Sequence, residues 1–259
     1  MPRGICKLCL EEKDLRRSHL LGKALYDLSR EDGDDPVVMT PGYSTPSQRQ
    51  VWAHLLCDDC EQRFSTYGEE PVMKLVQREK DFRLLDLMNV AMSWRNNLNV
   101  TTYSGLDMGI NTEELAYYAL SVVWRSGVQK WTTSNREATG ISLGAHGEPI
   151  RQYLHGEAGF PAGVVVMVTV WTDPGSRLHT IAPSLKKDSV YPTYSLLARG
   201  IWFDTIVGEN LPQGAKDLCC VNSVKKVLFL NNCEDRILQA AERIHKTAKV
   251  SEKLKQSPV

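Results

Sequence analysis

The sequence has no surplus of either charge: Lys plus Arg and Asp plus Glu both total 31. No global field therefore draws the chain to nucleic acid or to an anionic membrane, and any contact with phosphate has to come from a local patch. It also lacks any apolar run approaching about eighteen residues, which excludes a membrane-spanning helix. The opening Met1-Pro2-Arg3-Gly4-Ile5-Cys6 carries no apolar segment of the secretory type. The expectation is a soluble, cytoplasmic protein with no membrane partner. No Gly-rich phosphate loop, GxSxG elbow or HExxH helix occurs, so nucleotide-binding, serine-hydrolase and zinc-protease readings have nothing to rest on. No internal repeat is visible either. A disordered chain is excluded by size and composition, since 259 residues with 42% hydrophobic content can bury a core.

Cysteine is what the sequence does have. Of seven cysteines, four form two CxxC pairs, Cys6-Lys7-Leu8-Cys9 and Cys57-Asp58-Asp59-Cys60, while Cys219, Cys220 and Cys233 lie far from both. In a reducing compartment two such pairs mean metal before they mean disulfides. A two-residue gap lets both thiolates of a knuckle face one ion, and two knuckles complete a closed tetrahedral zinc site. The 47 residues between Cys9 and Cys57 exceed a short zinc ribbon, so the insert holds secondary structure of its own. It is expected to contain a helix from Gly22 to Leu28, an acidic loop from Glu31 to Pro36, a second loop from Thr40 to Ser47, and a strand from Val51 to Leu56 that delivers the second knuckle. The vicinal Cys219-Cys220 pair reads as buried thiols.

An N-terminal CxxC, the segment Ser18-His19-Leu20-Leu21 with a helix after it, and the knuckle Leu55-Leu56-Cys57-Asp58-Asp59-Cys60 opening a second helix together resemble the zinc-bound, treble-clef form of the HNH (ββα-metal) nuclease superfamily. The resemblance covers about residues 5–70. It implies structural Zn2+ on Cys6, Cys9, Cys57 and Cys60, and His19 as general base on a water molecule. It also implies a catalytic Mg2+ or Mn2+ held by a nearby acid, for which Glu61 is the candidate and Glu69 the alternative. The family's central Asn would fall near Trp52 to His54, where there is none, and its last His would fall within Glu61 to Glu69. Arg16, Arg17 and Lys23 flank His19 and are candidate phosphate contacts; His54 is a candidate site-lining group or a strand histidine.

The rest of the chain reads as an α+β body. Residues 1–70 form the zinc module and 71–259 the body. Helices are expected at about 72–95, 111–131 and 235–255, with a short helical piece near Glu148 to His155. Strands at about 163–171, 194–203 and 225–230 form a small, mostly antiparallel sheet. Asn111 is the expected N-cap of the second helix, with Glu114 three residues on. Trp124 and Trp131 read as core, with an aromatic platform beside Arg125 and Lys130 as the alternative. Two functions follow. One is an HNH-like, metal-dependent nuclease, by resemblance of a mobile-element or anti-phage kind. The other is a non-catalytic zinc-finger protein that binds nucleic acid or a protein, with the body open to a protein partner or a second copy of the chain.

Overall fold

Residues that alternate or repeat at helical spacing become the following elements. The first part of the chain runs β1 (Arg3–Ile5), β2 (Glu12–His19), α1 (Lys23–Leu28), β3 (Val37–Thr40), β4 (Tyr43–Pro46) and β5 (Trp52–Cys57). There follow α2 (Asp58–Phe64), a π-helical turn (Ser65–Glu69), α3 (Glu70–Met73), α4 (Arg83–Val90), β6 (Arg95–Asn97), β7 (Val100–Ser104) and α5 (Thr112–Val128). Next come β8 (Trp131–Thr133), β9 (Arg136–Ala138), α6 (Gly147–His155), β10 (Val164–Trp171), β11 (Thr180–Leu185), β12 (Thr193–Ala198) and β13 (Ile201–Val207). The chain closes with α7 (Gln213–Lys216), β14 (Val227–Asn231) and β15 (Lys249–Val250). This is a computed structural model that describes residues 1–28, 37–40, 43–46, 50–78, 81–97, 99–133, 136–138, 140–172, 179–186, 189–231 and 249–250. Among the described residues no helix is long and apolar enough to cross a membrane.

The molecule is α+β. Its main sheet has seven strands in the order β11-β12-β13-β10-β14-β7-β6, all antiparallel except the β10–β14 pair. Strand β10, apolar on both faces, takes the centre, as a strand covered from both sides should. Helix α5 packs on one face of that sheet, with Tyr118 and Phe203 rings 5.5 Å apart. Its other side meets the π turn and α3. Every residue from Leu115 to Ser126 is buried, so α5 is the middle layer between the sheet and the N-terminal elements. The predicted cap holds: the Asn111 side chain accepts from the Glu113 amide.

Three of the expected elements differ from what forms. The helix expected over 72–95 divides into α3 and α4, because the Gln77 amide is taken by the Arg199 carbonyl and Arg78 turns onto Asp81. Trp94 then donates to Thr102 and leads into the edge strand β6. The strand expected over 194–203 is a hairpin. Arg199 and Gly200 turn between β12 and β13 with φ of 41° and 89°, the left-handed pair that a two-residue hairpin needs. The loop expected from Thr40 to Ser47 instead contributes to a β3–β4 pairing. The acidic loop at 31–36 lies outside the described residues. So does nearly all of the C-terminal helix expected over 235–255; of it, Lys249 and Val250 are described, paired as a strand with Tyr43 and Ser44.

Three buried arginines of the body reach carbonyls of the preceding elements. Arg125 donates to His19 (2.8 Å), Arg151 to Leu8 (2.6 Å) and Arg199 to Gln77 (2.9 Å). One cluster of buried residues, from Cys6 and Leu8 through Tyr118 to Leu230, runs through both parts of the chain.

Candidate metal centre and adjoining cleft

The first knuckle is a tight loop after β1. The Cys6 amide donates to Glu11 and the Leu10 amide to Cys6, and Leu10 closes the turn at φ 64°. The second knuckle straddles the end of β5 and the first turn of α2. The β2–β5 ladder pairs Leu15 with Cys57, and this register brings the knuckles together. Sulfur atoms of Cys6, Cys9, Cys57 and Cys60 all lie within 4.8 Å of one another, with Cys9 and Cys57 at 3.9 Å. A metal–sulfur distance of about 2.3 Å sets tetrahedral sulfur–sulfur edges of about 3.8 Å. The four sulfurs therefore suit one tetrahedral ion such as zinc. A hydrogen bond with Cys60, helped by backbone amides including that of Cys57, holds the Cys6 thiol down to about 4. Cys60, sharing that bond, is pushed up. Cys219 and Cys220 are buried elsewhere and take no part.

Beside this centre the antiparallel β2–β5 pair and the helix that follows it enclose a cleft of about 800 Å³. Arg16, Arg17, His19, Lys23, His54 and Glu61 line it together, although they span 46 positions in the chain from Arg16 to Glu61. His19 ends β2 and is half-buried. Burial lowers its pKa below the ordinary 6.5, with Glu69 opposing, Arg125 assisting and the Gln50 side chain nearby. Glu61, in the first turn of α2, is pushed up by burial, only partly offset by Arg125 and Ser18. Its Oε1 is shut off from solvent without a hydrogen-bond partner. Such an orphaned carboxylate oxygen is a hard donor of the kind Mg2+ or Mn2+ takes, whereas the four cysteines are the one group of three or more candidate ligands clustered among the described residues.

The neighbouring acid is differently placed. Glu69 accepts from Arg125 at 2.9 Å, and Gly22 leaves room for its carboxyl group, since a Cβ there would meet Glu69 at 2.8 Å. Arg125 also rests on the Phe64 ring at 5.3 Å. An α-helix turns by ~100° per residue, so positions eight apart drift ~80° off a common face. Here the π turn, closed by the Glu70 amide on the Ser65 carbonyl, counters that drift and keeps Glu61, Ser65 and Glu69 on the cleft.

The candidate phosphate contacts divide. Arg16 is held by Asp58 at 2.7 Å; Arg17 lies over the Trp52 ring at 4.7 Å; Lys23 opens α1 at the cleft wall. Trp124 and Trp131 are core, at 1% and 2% exposure. One cleft residue, Arg125, and one neighbour of His19, Gln50, are not legible as such. Gln50 lies two positions before the Trp52 to His54 window. Arg125 stands in an otherwise apolar helical stretch, Val122-Val123-Trp124, and that lone buried charge was its only signal.

No family model, curated protein or solved structure was found to match the chain. Function therefore rests on the chemistry of this cleft.

Proposed function

We propose that the protein is an HNH-like, metal-dependent nuclease, with Cys6, Cys9, Cys57 and Cys60 holding structural Zn2+ in a treble clef. One observation carries the reading. A strand-end histidine and a buried, unpartnered carboxylate oxygen share one cleft with cationic side chains, next to a four-cysteine centre. His19 takes a proton from the attacking water; its lowered pKa keeps the imidazole neutral at pH 7, as a general base must be. Arg17 and Lys23 hold the phosphate backbone in register. A divalent ion held by Glu61 would supply charge stabilisation at the phosphoryl and leaving oxygens. Reduced cysteine ligands suit a reducing compartment, hence the cytoplasm.

A non-catalytic zinc module that grips nucleic acid or a protein is the second reading. It is favoured by Arg125, whose guanidinium already balances Glu69. The two readings separate in one experiment: zinc-loaded protein incubated with single- and double-stranded DNA and with RNA, in the presence of Mg2+, Mn2+ or neither. Metal-dependent cleavage that falls at least a hundredfold in His19→Ala is the expected result. Binding without cleavage under every condition would replace the enzyme by the binding module.

A further inference from the structure

Beside His19, the outer face of the β2–β5 ladder carries side chains that general-base chemistry does not use. His19 pairs with Trp52 and Arg17 with His54 across the ladder, and strand alternation puts all four on one face. Ser18, on the opposite face, is fully buried. The Arg17 guanidinium stands 4.7 Å from the Trp52 ring centroid, and His54 meets that ring edge-on at 5.3 Å. Trp52 is nonetheless 43% exposed. An indole buttressed by two neighbours and left in water forgoes hydrophobic burial that the adjacent Leu55 and Leu56 obtain. Arg16 is neutralised by Asp58, whereas Arg17 has no carboxylate partner among the described residues. Two other cation–aromatic pairs among the described residues differ: Arg63 at Tyr67 is committed to the Leu154 carbonyl at 2.7 Å, and Lys186 at Trp202 to Asp204 at 2.8 Å.

We infer that Trp52 and Arg17 form a stacking platform for an unpaired base, which makes single-stranded or locally unpaired nucleic acid the substrate of the cleft. In a duplex the π-faces of the bases are occupied by their neighbours, so an indole and guanidinium of this kind serve only a base that is out of the stack. Directly opposed residues of an antiparallel pair have Cβ atoms about 4.5–5.5 Å apart. A nucleotide whose base lies on Trp52 therefore brings its phosphate beside His19, and Lys23 lies on the same cleft. This inference rests on the nuclease reading of the cleft.

Binding measured by fluorescence anisotropy, on the zinc-loaded full chain without Mg2+ or Mn2+, tests it independently of cleavage. Short labelled single strands are expected to bind at least tenfold more tightly than the matching duplex. Trp52→Ala should weaken single-strand binding about tenfold or more and leave duplex binding unchanged, while Trp52→Phe retains most of it. Arg17→Ala should reduce the slope of log affinity against log salt by about 1. Unchanged zinc content and circular dichroism would establish that the variants are folded. Equal affinity for single strand and duplex, or undiminished binding by folded Trp52→Ala, would overturn the platform, and the nuclease reading would survive if cleavage still required His19. Absence of both binding and cleavage would remove the nuclease reading and the platform with it.

Discussion

His19 and Glu61 carry opposite consequences of the same burial. Desolvation disfavours the charged form of each, so the imidazole pKa falls and the carboxyl pKa rises. The groups that face His19 are Glu69, which favours its protonation, and Arg125 and Lys23, which oppose it, with Gln50 close by. The acid limb of kcat/KM for cleavage is therefore expected below the ordinary histidine value of 6.5, as measured by a pH–rate profile. The same depression makes the unfolded state the better proton binder below that pH, so this residue's contribution to stability declines on acidification through that window. Glu61→Gln makes a second residue-scale test. It removes a buried charge without changing shape, so thermal stability should hold or rise, while Mn2+ affinity followed by electron paramagnetic resonance should fall at least tenfold. His19 and Glu61 were legible as candidates only through the resemblance of Ser18-His19-Leu20-Leu21 and the cysteine knuckles to the HNH superfamily. Gln50 was not, because an amide ahead of a strand has no pattern that separates it from a solvated loop residue.

At the scale of elements, the decisive feature is the continuous helical run from Asp58 to Met73 with its π turn in the middle. That turn lies flat on α5 because Gly68 has no side chain. A Cβ at Gly68 would sit 3.1 Å from the Tyr118 backbone and 3.2 Å from the Tyr117 ring. Gly68→Ala is expected to cost about 1–3 kcal/mol, measured by denaturant unfolding, because backbone cannot give way as a side chain can. Displacing the π turn would also loosen the Glu69–Arg125 ion pair. The helical period of α5 and the central character of β10 were legible, since long or uniformly apolar segments state their own burial. The Arg199-Gly200 hairpin was not. A buried arginine at positive φ is no ordinary turn signal, and its conformation is held by tertiary contacts, including its bond to the Gln77 carbonyl.

For the whole molecule, the question is how far the metal centre supports the rest. Buried guanidinium contacts from Arg125 to His19 and from Arg151 to Leu8 tie the cysteine-bearing elements to α5 and α6, and the buried cluster is continuous across them. Structural zinc contributes on the order of 10 kcal/mol to small modules that depend on it. Chelation, or Cys57→Ser, should therefore lower the melting temperature of the entire chain in one calorimetric transition, with loss of helical circular dichroism beyond the first 70 residues. Two separate transitions, with the later one unmoved, would mean that the body stands without the metal.

The sequence by itself determined the two CxxC pairs that cluster and the α+β class, along with most helices and a minority of the strands. Each of these is local: a CxxC spacing, an N-cap, or a period of apolar residues expresses itself within a few positions. Only the tertiary structure decided that His19, Gln50, Glu61, Glu69 and Arg125 share one environment, and that Trp52 remains in water beside them. Those relations depend on strand register, on one π turn and on a guanidinium contributed from 106 positions away in the chain. Burial and electrostatic coupling act through space, so no spacing along the sequence could have stated them.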